Sequence, residues 1–460
     1  MLIRLIVENF LSFNEETEFN MLTGEVRRHP HHVFKNRKFS VVKTAVIFGA
    51  NGAGKSNLIL AFDYLKNIVT ENGLEDRFKN VKFKFNEDAN KPTKIEIDFS
   101  IKGKAYNYGL IIDNNSIEEE WLYKLGFGEE DELIFERKSK RGKKMKMKFH
   151  ADFTADPKSS MLLDILQDEI ANHKTSFLYV AKNKIFLDIT TAWDWIDSCS
   201  EVVFPKGSTL DIRNNYLKAA VKDLLDGKVR FSDFCNSFVK NLDTGICEFA
   251  IAQMTLDEYL GNRYLVDKRE IISLIKYDDI IEIADEPPFW AFASMENNIP
   301  IVKRLVAIHK NDDGTFKQFE LSEESDGTLR ILELLVLFYD VVYTSKTIFI
   351  DEIELNIHPS LLKALIKILM EFRNRKGQLI FTTHESNLLD LDLFRQDEIW
   401  FAEKNKKGAT ELYPLSDYDI RPDLDIRKGY LSGRFGAIPF LANLKDINWE
   451  PHAEETKQSL

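Results

Sequence analysis

The chain has 460 residues, 44% of them hydrophobic and 12% aromatic, so it can bury sizeable cores and is not a disordered polypeptide. Its formal net charge of −12 excludes a protein that coats nucleic acid over its whole surface, although a local basic patch stays compatible with it. The three cysteines, Cys199, Cys235 and Cys247, are too widely spaced for a CxxC zinc or redox site.

The first residues predict a short strand over 2–7. Arg4 and Glu8 interrupt its apolar run, which argues against a secretory signal peptide. No window approaches the roughly 18 uninterrupted apolar residues that a membrane-spanning helix needs. We therefore expect a soluble, cytoplasmic protein with no membrane partner.

The N-terminal third predicts strands around a glycine-rich turn, followed by a sheet. An apolar strand over 41–48 runs into the turn, and a helix with a wide buried face follows from 56 to about 69. Residues 81–150 alternate apolar and polar positions between short turns, which predicts an antiparallel sheet with one solvated face.

The rest of the chain predicts a helical middle and a second α/β part. Residues 151–300 carry mainly helical spacing, whereas a helix over 327–342 and strands over 346–350 and 378–382 follow. We therefore expect an N-terminal half (1–150), a mostly helical insertion (151–300), a C-terminal half (301–445) and a tail (446–460).

The turn at residues 49–56 reads GANGAGKS and fits the phosphate-loop pattern GxxxxGK[ST] at every position. Its glycines allow backbone N–H groups to face an anion, Lys55 would reach the β- and γ-phosphates, and the Ser56 hydroxyl would ligate Mg²⁺. An ordinary glycine-rich turn is the alternative, but the strand before it and the helix after it favour the phosphate loop. The predicted nucleotide-binding residues here are Asn51, Gly52, Ala53, Gly54, Lys55, Ser56 and Asn57.

Two further strand ends carry candidate catalytic groups. The strand KTIFI ends in Asp351, which would join the Mg²⁺ shell, and Glu352, which would polarise an attacking water. His384 ends the strand over 378–382 and could contact a γ-phosphate. Strands often end at charged residues, and a lone histidine is more often structural, so both assignments depend on the phosphate loop.

A second candidate anion site precedes the helix over 327–342. The sequence ESDGT places Ser325 and Gly327 at the helix N-terminus, where N–H groups are free to bind an anion. A simple N-cap by Ser325 is the equally plain alternative.

These motifs, in this order, resemble the ABC-type ATPase fold, and GANGAGKSN resembles its SMC and RecF branch. The resemblance implies two heads that sandwich ATP and Mg²⁺, with Ser325 and Gly327 acting in trans, Glu352 as the catalytic carboxylate and His384 as the switch histidine. The fold class implied is an α/β ABC-type P-loop ATPase head with an antiparallel β lobe and a mostly helical insertion.

The segments SDGTLRILEL, FIDEIELNIHPSLL, TTHESNLLD and GYLSGRFGAIP resemble the compact OLD/RloA-like ATPases of anti-phage defence, including abortive-infection and PARIS-type systems. That resemblance covers roughly residues 1–125 and 300–445. It implies a homo-oligomeric, nucleotide-gated sensor that controls a Toprim-type nuclease partner and responds to a phage-encoded trigger.

Three features of the sequence differ from the relatives it resembles. The signature reads ESDGT and not LSGGQ, no Q-loop glutamine is evident before residue 130, and too few residues follow His384 for a Toprim domain. We therefore expect ATPase activity without nuclease activity in this chain alone. A transporter ATPase is disfavoured on the same grounds.

A RecF/SMC-like DNA-repair ATPase that binds DNA directly is the main alternative. The basic run at residues 136–148, with eight Lys or Arg, predicts a hairpin that could contact phosphates. A solvated hairpin tip explains the run slightly better, because no aromatic residue interrupts its charges. Direct nucleic-acid binding stays open at this point.

Overall fold

The structure is a computed structural model. It describes residues 1–71, 73–74, 80–85, 91–113, 115–139, 145–155, 157–171, 173–182, 186–205, 229–240, 242, 245–261, 265–275, 280–283, 291–311, 313–421 and 424–437.

The strands of this part of the chain are β1 (Leu2–Glu8), β2 (Thr17–Asn20), β3 (Val33–Lys35), β4 (Ser40–Val42), β5 (Thr44–Gly49), β6 (Thr93–Ile101), β7 (Lys104–Asp113), β8 (Ser116–Lys124), β9 (Glu132–Lys138), β10 (Lys146–Phe149), β11 (Ser200–Val203), β12 (Ile246–Thr255), β13 (Ile280–Glu282), β14 (Ala291–Glu296), β15 (Ile299–Lys310), β16 (Phe316–Glu320), β17 (Thr347–Ile350), β18 (Gln378–Thr383), β19 (Ile399–Lys404) and β20 (Thr410–Pro414).

The α-helices of the same residues are α1 (Lys55–Thr70), α2 (Pro157–Glu169), α3 (Phe177–Ala181), α4 (Leu187–Asp197), α5 (Val229–Val239), α6 (Leu256–Leu260), α7 (Leu265–Ile275), α8 (Asp326–Tyr343), α9 (Pro359–Glu371) and α10 (Ile426–Leu431). None of them is long and apolar enough to cross a membrane.

A mainly parallel sheet forms the centre of the described chain. Its strand order is β11-β17-β18-β5-β19-β20, and every pair is parallel except β19 with β20. The strand before the glycine-rich turn and the strands after residue 300 therefore lie side by side, although they come from opposite ends of the sequence. This arrangement confirms the predicted α/β ABC-type fold.

The central sheet is covered on both faces. Along β5, Ala45 and Ile47 join one buried cluster, with α1 and the antiparallel lobe, whereas Val46 and Phe48 join another, with α8 and α9. Side chains alternate across a strand, so a strand buried on both faces must be apolar at nearly every position. This requirement explains the uninterrupted apolar sequences of β5 and β17.

The antiparallel lobe predicted for residues 81–150 is present, with β1 and β2 added to it. Its order is β10-β9-β8-β7-β6-β1-β2. The buried side chain of Gln378, in β18, joins this lobe to the central sheet, since it accepts from the N–H of Leu2 at 2.7 Å and donates to the carbonyls of Leu2 and Val42. These hydrogen bonds tie the lobe to the central sheet.

The single strand predicted over 41–48 is wrong at Lys43. The chain forms β4, which pairs with β3, and then β5, which enters the central sheet. The backbone N–H of Lys43 donates to the carbonyl of His32 between them, so the ladder changes partner at that residue.

The region of the mostly helical insertion contains both helices and strands. Helices α2 to α4 pack on the lobe, but β11 joins the edge of the central sheet. Strands β12 to β14 form an antiparallel sheet with β15 and β16, which lie largely beyond residue 300. The hairpin between β14 and β15 turns at Asn297 and Asn298, both with positive φ. Asparagine tolerates that conformation, which is the one that tight hairpins need.

Candidate active site

Three neighbouring strands place the predicted catalytic groups at one edge of the central sheet. Strand β5 leads into the phosphate loop, β17 ends before Asp351, and β18, which lies between them, ends before His384. Parallel strands present their carboxyl ends at the same edge, where ligands of open α/β sheets bind. The three motifs therefore converge for a topological reason.

The phosphate loop is shaped by a glycine and supported from behind by hydroxyl groups. Gly54 has φ +104°, and a Cβ at this position would collide with Thr410 and Ser12. The Thr410 hydroxyl donates to the carbonyl of Ala53 at 2.7 Å and lies 2.8 Å from the Ser12 hydroxyl, which accepts from Asn57. Strand β20 and the segment after β1 thus fix the loop.

The Lys55 ammonium lies in the middle of this edge. It donates to the carbonyls of Gly49 and Ala50 at 3.0 and 3.1 Å, and it lies 3.0 Å from Nε2 of His384. Burial lowers the pKa of Lys55 to about 8, against the raising effect of nearby carboxylates such as Asp351. A bound anion would therefore stabilise the charged form of Lys55.

Ser56 and Asp351 form the oxygen-rich side of the site. The Ser56 hydroxyl donates to Oδ1 of Asp351 at 3.0 Å, and the Thr382 hydroxyl donates to the same oxygen at 2.5 Å. Carboxylate and hydroxyl oxygens are the ligands that Mg²⁺ prefers. The donor set present at this position therefore fits a magnesium ion held by Ser56 and Asp351.

Glu352 stands beside that oxygen cluster in a strained conformation. It has φ +49°, in the left-handed region that side chains other than glycine rarely occupy, and its N–H donates to the Thr382 hydroxyl at 2.8 Å. Such strain costs about 1–3 kcal/mol and is found mainly at functional sites. Burial, with Asp351 and Glu354, raises the pKa of the Glu352 carboxyl.

His384 is exposed, and a hydrogen bond joins its backbone to the segment that follows β17, residues 351–356, which we call the acidic segment. Its N–H donates to Oε1 of Glu354 at 2.7 Å. Burial of part of the ring and the Lys55 charge lower the pKa of His384, so the imidazole is neutral at physiological pH. A neutral ring can accept a hydrogen bond from the Lys55 ammonium, in agreement with their distance.

These groups open onto one cleft of about 620 Å³. Most of the predicted nucleotide-binding residues line it, while Ala53 and Asp351 are buried behind its wall. The residues that line it are Asn51, Gly52, Gly54, Lys55, Ser56, Asn57, Glu352, Glu354, Leu355 and His384.

Ser325 and Gly327 do not line this cleft. Ser325 caps α8, because its hydroxyl accepts from the N–H of Thr328 at 3.2 Å, and Ser325 itself is exposed. A Cβ on Gly327 would lie 2.9 Å from the carbonyl of Asn356, in the segment that follows Glu352. The signature loop is therefore packed against the acidic segment and faces solvent.

Sequence reasoning missed five residues of the site, one of which is Leu355 in the lining of the cleft. Thr382 and Glu354 are near predicted residues in the sequence. Their polar side chains in TTH and DEIE are a signal that could have identified them. Ser12 and Thr410 are nearly 400 positions apart and meet only through the pairing of β19 with β5 and β20. No local pattern in the sequence marks them.

A protein-family model described as "AAA domain, putative AbiEii toxin, Type IV TA system" matches residues 45–390 of the chain, which is most of its length. The chain belongs to this family. It is thus a P-loop ATPase with an ABC-type fold. No curated protein matches it at a significant level of sequence similarity.

Several solved structures are distantly similar to this ATPase. The SMC head domain from Thermotoga maritima has 12% identity and a TM-score of 0.40, covering 91% of this chain and 99% of its own. An SMC head bound to the C-terminal winged-helix domain of ScpA has 13% identity and a TM-score of 0.42, with 90% and 97% covered. An SMC head with an extended coiled coil from Pyrococcus furiosus has 14% identity and a TM-score of 0.35, with 94% and 98% covered.

The lowered pKa of Lys55 predicts that nucleotide affinity falls as the pH rises through 8. A protonated lysine binds phosphate, and a lysine with a pKa near 8 has lost most of its charge by pH 9. We expect affinity for a fluorescent ATP analogue to fall roughly tenfold between pH 7.5 and 9, after correction for the titration of the nucleotide itself. Lys55→Arg, whose charge persists, is the matched control and should show a flat profile over this range. Parallel profiles for the two proteins would contradict this assignment.

Proposed function

We propose that the chain is a nucleotide-gated, Mg²⁺-dependent ATPase in which ATP closes two heads and hydrolysis separates them. The observation that carries the proposal is the sharing of one Thr382 hydroxyl by Asp351 and the backbone of Glu352, beside Lys55 and Ser56. Asp351, the metal ligand that we propose, and Glu352, whose backbone is strained, thus lie side by side near one phosphate loop. Phosphoryl transfer asks little of a protein beyond such placement of charge.

Each residue has one task in this scheme. Lys55 and the N-terminus of α1 bind the phosphates, and Ser56 and Asp351 would hold a magnesium ion, which would supply positive charge to neutralise developing negative charge. Glu352 orients the attacking water and accepts its proton, which a carboxyl with a raised pKa does more readily. The left-handed backbone of Glu352 fixes the direction of its side chain.

His384 serves as the sensor of the γ-phosphate. In the structure its ring is in hydrogen-bonding contact with the Lys55 ammonium. An anion that draws the Lys55 ammonium to itself releases the ring, which can then donate to the same anion. The link from the His384 N–H to Glu354 carries that change to the acidic segment.

Ser325 and Gly327 act on the nucleotide of the partner head. Both lie at the exposed N-terminus of α8, a helix of 18 residues, and neither lines the cleft of its own chain. A helix N-terminus attracts anions through its free N–H groups and its dipole. The position is thus suited to an ATP that another subunit presents.

The biological output that we propose is anti-phage defence, in which the ATPase dimer or a higher assembly holds a Toprim-type nuclease until a phage-encoded trigger appears. Two observations support it: the description of the family names a toxin and a toxin–antitoxin system, and the C-terminal motifs resemble OLD/RloA-like defence ATPases. The partner, and not this chain, supplies the nuclease chemistry.

The DNA-repair alternative draws little support from the basic hairpin. In strands β9 and β10, Lys138 pairs with Glu119 and Glu136, and Lys148 pairs with Glu136. Lysines already neutralised by carboxylates gain less from DNA phosphates. The tip of the hairpin, residues 140–144, lies outside the described residues.

Replacing the proposed catalytic carboxylate tests the chemistry. Glu352→Gln keeps the shape of the side chain but cannot accept a proton, so we expect ATP turnover to fall roughly 10²- to 10⁴-fold with nucleotide binding retained. Lys55→Ala should lose nucleotide binding itself. Steady-state phosphate release and equilibrium binding distinguish the two effects. Normal turnover by Glu352→Gln would refute the role given to this residue.

Affinity purification from the native cell tests the biological output. The tagged Glu352→Gln protein, held in its ATP state, should retain a stoichiometric nuclease partner, and Lys55→Ala is the control without nucleotide. Mass spectrometry of the eluate identifies the partner. Recovery of chromosomal DNA with recombination proteins, in place of a nuclease, would favour the repair ATPase.

A further inference from the structure

Three histidines form a compact cluster away from the nucleotide cleft. His29, His31 and His32 lie in the sequence HPHH before β3, and one ring nitrogen from each lies within 4.8 Å of the other two. The rings of His29 and His32 stack at 4.9 Å, and His31 meets His32 edge-on at 4.5 Å. His32 is buried, whereas the other two are half-buried.

Each of these rings has one nitrogen bonded to a group outside the cluster. Nε2 of His29 lies 2.9 Å from the carbonyl of Leu391, and Nε2 of His31 lies 3.2 Å from the carbonyl of Met370. A carbonyl can only accept, so both rings donate from Nε2 and keep the lone pair on Nδ1.

The buried ring of the cluster is oriented by a carboxyl group. Nδ1 of His32 lies 2.9 Å from Oε2 of Glu398, a fully buried side chain. Metal-bound histidines almost always donate their second ring N–H to a carbonyl or a carboxylate, which fixes the tautomer and the direction of the lone pair. All three rings of the cluster have such a partner.

We propose that His29, His31 and His32 bind a divalent transition metal of the zinc class. Three imidazole ligands and an open fourth position suit Zn²⁺, Co²⁺ or Ni²⁺, whereas Mg²⁺ prefers oxygen and is not a candidate here. Because the ring partners belong to the end of α9 and to the segment between β18 and β19, the metal fastens the N-terminal loop to the C-terminal ATPase half.

The rings must move to close on the metal. Zinc–nitrogen bonds of about 2.0–2.1 Å place tetrahedral ligand atoms roughly 3.3 Å apart, which is closer than the limit of 4.8 Å for the three nitrogens here. His29 and His31 are half-exposed and can rotate inwards, whereas His32 is fixed by Glu398 and forms the stationary ligand.

The charges around the cluster set an upper limit on affinity. Lys43, Arg375 and Arg395 are cationic neighbours of His32, while Asp397 holds Arg395 through two hydrogen bonds and Glu398 faces Arg375. These cations repel a divalent metal ion that lies near them. We expect binding on the order of micromolar, weaker than in a closed structural site.

Zinc stoichiometry of the tag-free, full-length protein tests the proposal. Equilibrium dialysis against Zn²⁺ should show one more bound ion per chain in the wild type than in the double variant His29→Asn/His31→Asn. Titration with Co²⁺ should give the intense visible absorption of a tetrahedral site in the wild type alone. His150→Asn, which removes a histidine outside the cluster, is the matched control and should bind as the wild type does.

The double variant changes only half-buried rings, so circular dichroism and retained ATP binding can establish that it folds. Glu398→Gln gives an independent test, since loss of a supporting carboxylate should weaken Zn²⁺ binding about 10- to 100-fold. Equal Zn²⁺ stoichiometry and affinity in the wild type and the double variant would overturn the proposal.

Discussion

The hydroxyl of Thr382 is the contact on which the candidate active site depends. It donates to Asp351 and accepts from the N–H of Glu352, so one side chain of β18 sets the positions of both acids at the end of β17. The contact exists because β17 and β18 are parallel neighbours in register, and β18 in turn pairs with β5. The phosphate loop, the acids and His384 consequently form one unit, whose parts lie more than 300 residues apart along the chain.

That unit connects nucleotide chemistry to the outer surfaces of the head. His384 is joined to Glu354, and the signature loop packs on the carbonyl of Asn356, four residues beyond Glu352. At the far side of the phosphate loop, Thr410 and Ser12 tie it to β20 and to the antiparallel lobe. A change at the proposed γ-phosphate position therefore has short contact routes to the signature loop and to the lobe.

The sequence predicted the central fold because its signals are local and strong. A strand buried on both faces must be apolar throughout, and the phosphate loop needs glycine where φ is positive or where Thr410 and Ser12 leave no room for a Cβ. These demands are visible in a few consecutive residues. The insertion was harder, because β12 and β15 pair across more than 40 residues and their mixed patterns resemble irregular helices. The asparagine pair at 297 and 298 is a local signal for a hairpin, and a helical interpretation of this region does not account for it. The site residues Ser12 and Thr410 had no sequence signal at all, since only strand pairing brings them to the loop.

We propose that ATP bound at this edge closes two heads. The molar mass of the protein, measured with ATP, with ADP and without nucleotide, tests this proposal. Sedimentation equilibrium of Glu352→Gln should show a dimer with ATP and Mg²⁺ and a smaller species with ADP. Adding Ser325→Arg to the same variant should abolish the ATP-dependent dimer without loss of nucleotide binding, whereas Ser322→Arg, at an exposed position three residues earlier, should leave it intact. A mass that is the same with ATP, with ADP and without nucleotide would contradict the account.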